Sequence, residues 1–273
     1  MEKKYKLTEE TIIVDDRILY RIEALKDFAN IKKGDKGGFI EKESNLSQNG
    51  DCWVYDNAKV YDDAIVLNDA SICGDAVVCG DAMVCDNAKV RDNAKVRDNA
   101  KVRGNAKVHD DAVVCGHAKV CDNAKVRGNA KVRGNAVVSD SAVVCGDAEV
   151  FDNATIYDNA IIYGNAEVGS NARIYGNAFV YDNAEVCGNA KVHDDARVYG
   201  NAVVFDYAEI YGNAQVYDKA EVCDNAEIYG NAEIYGNARV YCNTVVCDNA
   251  EVCGYSKLFG NAVIRDNTKV CED

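Results

Sequence analysis

Apolar and polar positions along this chain alternate with a period of six residues. From Val54 to Val270 every sixth residue is Val or Ile, and Leu258 is the one departure. An alanine follows four residues after each of these positions, except where Thr244, Ser256 or Thr268 replaces it. The intervening residues follow the pattern Val-x-(Gly/Asp)-(Asn/Asp)-Ala-x. A fixed short period over most of a chain is typical of a solenoid.

Each six-residue unit, or hexad, predicts a short strand followed by a corner. The Val or Ile points inward and its two neighbours point outward, as in a β-strand. Gly or Asp, then Asn or Asp, supplies the corner, because these residues tolerate positive φ. The small alanine lets the backbone close around an axis. Three hexads would make a triangular coil of about 18 residues, and residues 54–270 would make about twelve coils stacked about 4.8 Å apart.

The first fifty residues break this pattern and predict a small β-rich cap. Residues 11–14 and 17–22 have strand-like sequences around an Asp-Asp turn. A cap of this kind covers the apolar end of a solenoid. We therefore expect two regions, an N-terminal β cap at residues 1–50 and a hexapeptide-repeat β-helix at residues 51–273.

The hexad resembles the hexapeptide-repeat left-handed parallel β-helix family, whose motif has an aliphatic residue and a small residue four positions later. The resemblance covers residues 54–270 and implies an all-β fold, a left-handed parallel β-helix of triangular section. The left hand comes only from the resemblance, because crossover connections are in general right-handed. The segment GGFIEKESNLSQNGDCWVYDNAKV, residues 37–60, also resembles bacterial and phage β-helix proteins that carry a transferase label.

Family resemblance also raises the question of catalysis, because the best-known members are acyltransferases. Those enzymes are typically trimers with a histidine base near an interrupting loop and a coenzyme A groove between subunits. No loop interrupts the repeat near His109, His117 or His193. The related γ-class carbonic anhydrases bind zinc through three histidines at an interface, which this spacing does not supply. We predict no catalytic residue, no metal site and no cofactor, and retain an acyltransferase-like trimer with a site between subunits as the alternative.

Cysteine usage and the N-terminal residues predict a cytoplasmic protein. Most of the thirteen cysteines follow an inward residue of the repeat, and only Cys253 and Cys271 are one coil apart, within disulfide reach. An odd count with almost no matched pairs predicts free thiols in a reducing compartment. The chain has no apolar run that could cross a membrane, and its first residues do not resemble a secretory signal.

The net charge of −14 is unevenly distributed. Residues 86–134 carry twelve Lys/Arg and six Asp, hence +6, whereas residues 135–273 carry eight bases and twenty-two acids, hence −14. On an 18-residue coil, one face of the basic segment stacks Lys89, Arg91, Lys107, His109, Lys125 and Arg127. Such a belt suits a nucleic acid or an acidic partner. Interleaved aromatic residues are missing, which disfavours single-stranded nucleic acid. Duplication of near-identical units such as DNAKVR also explains the belt without any function, and contact with the acidic half of another copy is favoured over nucleic acid.

A column of tyrosines is predicted by the same register. Five of them recur once in every predicted coil and should stack on one face: Tyr163, Tyr181, Tyr199, Tyr217 and Tyr235. Stacked rings stabilise neighbouring strands, and tyrosine-rich surfaces are also favoured at interfaces. Both roles remain open.

These observations favour a non-catalytic, rigid solenoid that acts as a structural or interaction scaffold. We expect it to self-associate end to end through its last coil, because an uncovered coil is a template for another chain. Protein partners on acidic or tyrosine-rich faces are also expected. A third hypothesis is an acidic mimic of nucleic acid, or a phage inhibitor, that binds a host protein through Glu149, Glu167 and Glu185.

Overall fold

Each hexad folds into a two-residue strand and a left-handed corner. In the computed structural model, which describes residues 2–273, Lys107 of one such strand is exposed while the next residue, Val108, is completely buried. The corner that follows places Asp110 at a φ of 61°. Ala112 then packs inside the coil with no exposed surface. The inward Val and the small Ala of the repeat therefore form the core.

The chain divides into two compact units, Met1–Gly134 and Asn135–Asp273. In each unit the strands form three parallel sheets, to which every coil contributes one strand each. We name the sheets by the first inward residue of the repeat that each contains. The first sheet contains Val54, the second contains Val60 and the third contains Val66.

The N-terminal unit begins with three longer strands, β1 (Tyr5–Val14), β2 (Arg17–Ala24) and β3 (Lys36–Ile40), and a short 3₁₀ helix, Glu43–Asn45. Its first sheet contains Trp53–Val54, Ser71–Ile72, Lys89–Val90, Lys107–Val108 and Lys125–Val126. After β3, its second sheet contains Lys59–Val60, Val77–Val78, Lys95–Val96, Val113–Val114 and Lys131–Val132. Its third sheet contains Ile65–Val66, Met83–Val84, Lys101–Val102 and Lys119–Val120.

The C-terminal unit repeats this plan. Its first sheet contains Val143–Val144, Ile161–Ile162, Phe179–Val180, Arg197–Val198, Gln215–Val216, Glu233–Ile234, Glu251–Gly254 and Lys269–Glu272. Its second sheet contains Glu149–Val150, Glu167–Val168, Glu185–Val186, Val203–Val204, Glu221–Val222, Arg239–Val240 and Lys257–Leu258. Its third sheet contains Val137–Val138, Thr155–Ile156, Arg173–Ile174, Lys191–Val192, Glu209–Ile210, Glu227–Ile228, Val245–Val246 and Val263–Ile264.

The predicted all-β parallel solenoid with three sheets is thus confirmed, whereas the hand of the coil stays a prediction. Backbone amides join successive coils, as where the Lys107 N–H donates to the Ala124 carbonyl over 2.9 Å. No helix within residues 2–273 is long and apolar enough to cross a membrane.

The predicted cap strands are confirmed. β1 and β2 pair antiparallel around Asp15 and Asp16, which have φ values of 48° and 60°. Lys4 and Tyr5 anchor this hairpin from inside the cap. The Lys4 ammonium donates to the Cys52 carbonyl at 2.9 Å, and the Tyr5 hydroxyl donates to the Leu46 carbonyl at 2.7 Å.

The coil register begins before residue 50, contrary to the break that the sequence suggests. Ile40 in β3 lies beside Val60, and Leu46 beside Val66, in parallel register. The paired residues Ile40 and Val60 are 20 positions apart, whereas Lys89 and Lys107, which are paired in later coils, are 18 positions apart. Two extra residues in the entry coil hide the period. The boundary between residues 1–50 and 51–273 stays a prediction.

The last coil differs from the others in its exposure. Leu258, Ile264 and Val270 are partly exposed, although they occupy the inward position that is fully buried from Val54 to Val252. Backbone N–H groups of the preceding coil donate hydrogen bonds to the last coil, as from the Cys247 N–H to the Ile264 carbonyl at 2.9 Å. Association through this coil stays a prediction.

The one cysteine pair that the sequence places within disulfide reach is joined in the structure. Cys253 and Cys271 lie opposite each other in parallel register, with Cα atoms 4.6 Å apart, and form a disulfide. The other eleven cysteines are free. The sequence singles out this pair alone as within disulfide reach, and the parallel register places the two side chains side by side.

Candidate functional site

The basic belt lies on the first sheet of the N-terminal unit. Lys89 is directly opposite Lys107, and Lys107 is directly opposite Lys125; we call these three residues the lysine ladder. All three side chains are exposed, as are Arg91 and Arg127. The structure therefore brings these predicted residues together on one surface.

Neighbouring acids do not neutralise the lysine ladder through ion pairs. Among the described residues, none forms an ion pair with Lys89, Lys107 or Lys125. Carboxylates at the adjacent corner are engaged by backbone amides, since Asp110 Oδ2 accepts the Gly128 N–H at 2.9 Å. This bond, followed by the contact with His109, lowers the pKa of Asp110. Like charges directly opposite each other destabilise a sheet, so the ladder is an unfavourable feature of the isolated chain.

His109 joins the only group of possible metal ligands within residues 2–273. One ligand atom from each of Asp92, His109 and Asp110 lies within 4.8 Å of the others. His109 Nδ1 is 3.2 Å from Asp110 Oδ2 but makes no hydrogen bond of good geometry. The carboxylates already serve the corner, because Asp92 Oδ2 accepts the Asp110 N–H at 3.4 Å, and Arg91 Nε lies 3.6 Å from Asp92. These three residues could hold a metal ion only in competition with those contacts, and sequence spacing did not reveal the group.

The other two histidines have different surroundings. His117 is exposed at a corner. His193 is stacked between two rings, with centroid distances of 4.6 Å to Tyr175 and 5.1 Å to Tyr211. Its Nε2 is 3.0 Å from Glu209 Oε1. These contacts make the His193 ring a member of an aromatic stack on the third sheet of the C-terminal unit.

The predicted tyrosine column forms a continuous ladder on the first sheet of the C-terminal unit. Successive ring centroids are 4.7, 4.8, 4.9 and 5.1 Å apart from Tyr163 to Tyr235, and neighbouring planes differ by at most 6°. We call this set the tyrosine ladder. Burial, followed by the neighbouring phenols, raises the pKa of Tyr181 to about 12. The rings are therefore packed against one another while their outer edges stay partly exposed.

An apolar patch flanks the start of this ladder, and sequence reasoning missed it. Val143 lies opposite Ile161, which lies opposite Phe179, and all three outward side chains are partly exposed. We call these three residues the apolar patch. A shallow hollow of about 230 Å³ lies beside it, lined by Tyr163, Phe179, Tyr181 and Arg197. Applying the coil register to the residue before each inward Val would have revealed the patch.

A ladder of like charge occurs in the C-terminal unit too. On the second sheet Glu149 lies opposite Glu167, which lies opposite Glu185; we call these residues the glutamate ladder. Glu167 and Glu185 are exposed, and no described residue forms an ion pair with either of them. The three acids that the mimic hypothesis singled out are thus brought into one row.

The six-residue period, the left-handed corners and the three parallel sheets define this chain as a hexapeptide-repeat β-solenoid. A repeat family described as "YdcK Beta solenoid repeat" matches residues 172–188 and 232–248. The chain is also similar to a protein of Escherichia coli (strain K12) named "Uncharacterized acetyltransferase YdcK", with 36% identity over 62 residues. That similarity covers 20% of this chain and 19% of the relative, so the chain spans about a fifth of the length of the relative it matches.

Proposed function

We propose that this protein is a non-catalytic interaction scaffold that self-associates in the cytoplasm. The solenoid would act by geometry, because its repeated coils present side chains in fixed rows. The observation that carries the proposal is the apolar patch beside the tyrosine ladder. Eleven of the thirteen cysteines are free, which supports a reducing compartment, and the Cys253–Cys271 disulfide is the exception to this pattern.

The apolar patch has the composition of a contact surface. Val143, Ile161 and Phe179 occupy outward positions of the first sheet, where the next three coils hold Arg197, Gln215 and Glu233, so exposure of these apolar side chains to water is unfavourable. The adjacent tyrosine rings are held by stacking and would lose little conformational freedom on binding. Aromatic residues are enriched at protein interfaces for this reason. Contact with a second copy or with a protein partner would cover the patch.

The partly exposed last coil gives a second route to self-association. Leu258 and Ile264 present inward-type side chains to solvent, and a strand edge with unpaired backbone groups can pair with another chain. Docking of a second copy there would bury both the side chains and the edge.

The surroundings of the histidines favour the scaffold over an enzyme. A general base must reach the proton that it abstracts. His193 is held between two aromatic rings and beside Glu209. The exposed side chain of His117 has no described partner that would orient it, and His109 Nδ1 is buried without a hydrogen bond. An acyltransferase-like enzyme with a site between subunits of a trimer remains the alternative, and the similarity to the acetyltransferase-named relative favours it.

Light scattering after size-exclusion chromatography tests the proposed surface. In high salt, where charge contacts are screened, we expect Phe179→Ser to weaken self-association by about tenfold or more, as for a central interface residue. Phe205→Ser is the matched control, since Phe205 is also a partly exposed phenylalanine of the C-terminal unit but lies on the second sheet. Equal weakening by both substitutions, with both variants folded, would contradict the proposal.

Acetyl-coenzyme A separates the scaffold from the enzyme. A ligand that binds the folded state raises the melting temperature. We expect no rise at millimolar acetyl-coenzyme A and no acetyl transfer to amine acceptors. A rise of several degrees together with transfer would overturn the non-catalytic proposal and establish the alternative.

A further inference from the structure

We infer that the corner around His109 binds a divalent transition-metal cation such as Zn²⁺. The protein ligands are Nδ1 of His109 and one carboxylate oxygen from each of Asp92 and Asp110. This site lies within the N-terminal unit and goes beyond the proposed scaffold function. It also departs from the sequence-based expectation of no metal site, which considered the spacing of histidines and not the geometry of the corners.

The imidazole of His109 supplies the first observation. Its side chain is 13% exposed, and within residues 2–273 its buried Nδ1 has no hydrogen-bond partner. Asp110 Oδ2 lies 3.2 Å from Nδ1 but is not positioned to form a hydrogen bond with it. A buried polar atom without a partner is unfavourable, and a bound ion is one way to satisfy it. A cation that binds the lone pair of Nδ1 would remove this defect.

Two adjoining coils supply the carboxylates. Asp92 and Asp110 occupy the same corner position in successive coils, with φ values of 62° and 61°. One ligand atom from each of these residues and from His109 lies within 4.8 Å of the others. Ligand atoms around a tetrahedral zinc ion are about 3.3 Å apart, given bonds of about 2.0–2.2 Å. The His109–Asp110 distance already matches, and the Asp92 side chain, which is 52% exposed, can rotate to complete the set.

The same tetrapeptide recurs at a second corner, which isolates the contribution of Asp92. Residues 109–112 and 193–196 both read His-Asp-Asp-Ala, and His193 Nδ1 lies 3.3 Å from Asp194 Oδ1. One coil earlier, however, Gly176 takes the place that Asp92 has beside Asp110. Among the described residues no group of three possible metal ligands forms around His193. The site therefore depends on an aspartate in the preceding coil.

The donor atoms indicate the class of cation. An imidazole nitrogen is a good ligand for zinc, nickel and copper, whereas magnesium and calcium prefer oxygen ligands throughout. Two carboxylates balance the charge of a divalent ion. Three protein ligands leave at least one coordination position for water. The half-exposed carboxylate of Asp110 leaves this corner open to solvent.

The present contacts of the carboxylates are weak enough for a cation to displace. Asp92 Oδ2 accepts the Asp110 N–H over 3.4 Å, and Arg91 Nε lies 3.6 Å from the same oxygen in an exposed ion pair. Exposed ion pairs contribute little to stability. The shorter bond, from the Gly128 N–H to Asp110 Oδ2 at 2.9 Å, engages one oxygen of that carboxylate. The other oxygen can bind the metal while the corner keeps its bond to Gly128.

Nitrogen-15 NMR of the imidazole rings during a Zn²⁺ titration tests the inference. The chain has three histidines, so each ring can be followed separately, and His109→Gln assigns the resonances of that ring. Coordination changes the chemical shift of Nδ1 and fixes the proton on Nε2. We expect Zn²⁺ to shift Nδ1 of His109 at lower concentrations than it affects His117 or His193. The free cysteines can also bind zinc, but this signal reports on the imidazole rings.

Asp92→Gly is the test substitution, because Gly74 occupies the same corner position one coil earlier with a φ of 70°. We expect the affinity of the His109 site for Zn²⁺ to fall at least about tenfold, since even the loss of a residue that orients a metal ligand costs about 10–100-fold. Asp92→Asn, which keeps a polar side chain at the corner, should weaken binding in the same direction. Arg91→Gln should tighten binding, because Arg91 competes with the cation for Asp92.

Asp98→Gly is the matched control. It removes the same charge from a corner of the second sheet, where Asp98 Oδ2 accepts the Gly116 N–H at 3.0 Å and no histidine belongs to a group of possible metal ligands within residues 2–273. We expect zinc binding at His109 to be unchanged. Circular dichroism melting establishes that each variant is folded.

Three results would overturn the inference. The first is no shift of His109 Nδ1 at millimolar Zn²⁺, and the second is equal affinity in the unmodified chain and the folded Asp92 variants. The third is an equally strong response at His193, which would show that any His-Asp corner binds zinc. Self-association through the apolar patch is a separate property, because the patch lies in the C-terminal unit, so either proposal can fail without the other.

Discussion

The hydroxyl of Tyr217 donates a hydrogen bond of 2.9 Å to Oε2 of Glu233, in the next coil of the chain. The same relationship joins Tyr235 to Glu251 at 3.0 Å. In each pair the tyrosine directly follows an inward residue, and the glutamate directly precedes the inward residue of the next coil on the same sheet. The exposed surface of the first sheet is thus tied together between coils by side chains as well as by backbone.

Removing one ring from the tyrosine ladder should destabilise the C-terminal unit. Tyr199→Ala eliminates two stacked pairs, with Tyr181 and with Tyr217. Because a cross-strand pair contributes roughly 0.2–1 kcal/mol, we expect a loss of about 0.4–2 kcal/mol in urea unfolding. Tyr199→Phe keeps both stacks and loses only a 3.3 Å bond to Gln215, so it should be close to the unmodified chain. Equal stability of the two variants would show that stacking contributes nothing.

Alkaline pH should weaken the aromatic stacks. Burial is the main cause that raises the pKa of Tyr175, Tyr181 and Tyr211 to about 12. The folded state therefore holds these protons more tightly than the unfolded state, whose tyrosine pKa is about 10. The contribution to stability is complete below about pH 10 and is lost as the pH rises towards 12. Thermal unfolding from about pH 9 to 12 measures the loss, and Tyr181→Phe/Tyr211→Phe should flatten the curve. An unchanged curve would argue against the raised pKa values.

Two substitutions of one corner glycine, Gly188→Ala and Gly188→Asp, should differ in their effect on stability. Gly188 has a φ of 69°, and a Cβ added to it would lie 2.5 Å from the Asp206 backbone nitrogen. We expect Gly188→Ala to cost about 1–3 kcal/mol, as for other residues forced into this conformation. Gly188→Asp should cost less, because its carboxylate can accept the Asp206 N–H as Asp194 Oδ2 accepts the Gly212 N–H at 3.2 Å. An aspartate variant that is less stable than the alanine variant would contradict this description of the corner.

Thiol titration tests the Cys253–Cys271 pair. The denatured, unreduced chain should expose the eleven free cysteines to a thiol reagent, and reduction should expose the remaining two. Cys271→Ser should lower the stability of the last coil by about 2–4 kcal/mol under oxidising conditions. Under reducing conditions the variant and the unmodified chain should be alike. Thirteen reactive thiols before reduction would contradict the disulfide.

Much of the fold follows from local repetition. The period fixes which residues point inward, and the coil register then places Tyr163 on Tyr181 and Lys89 beside Lys107. Residues outside that register could not be placed in this way. The two extra residues between Ile40 and Val60 conceal the entry coil.

Side-chain geometry was harder to anticipate than register. His193 takes the place of one tyrosine in a column that the period indicates, and its ring lies between those of Tyr175 and Tyr211. The approach of Asp92 to Asp110 depends on corner geometry, which brings carboxylates of adjoining coils near one imidazole. Partner identity is not encoded in the period, because the inward residues are the same whatever the outward residues bind.

The most direct test of the account is a sedimentation velocity series of the unmodified chain over a wide concentration range, in low and in high salt. The account predicts a sedimentation coefficient that rises with concentration in both conditions, because apolar contacts persist when charge contacts are screened. A single monomeric species at every concentration in both conditions would contradict the central claim that this solenoid is a self-associating scaffold.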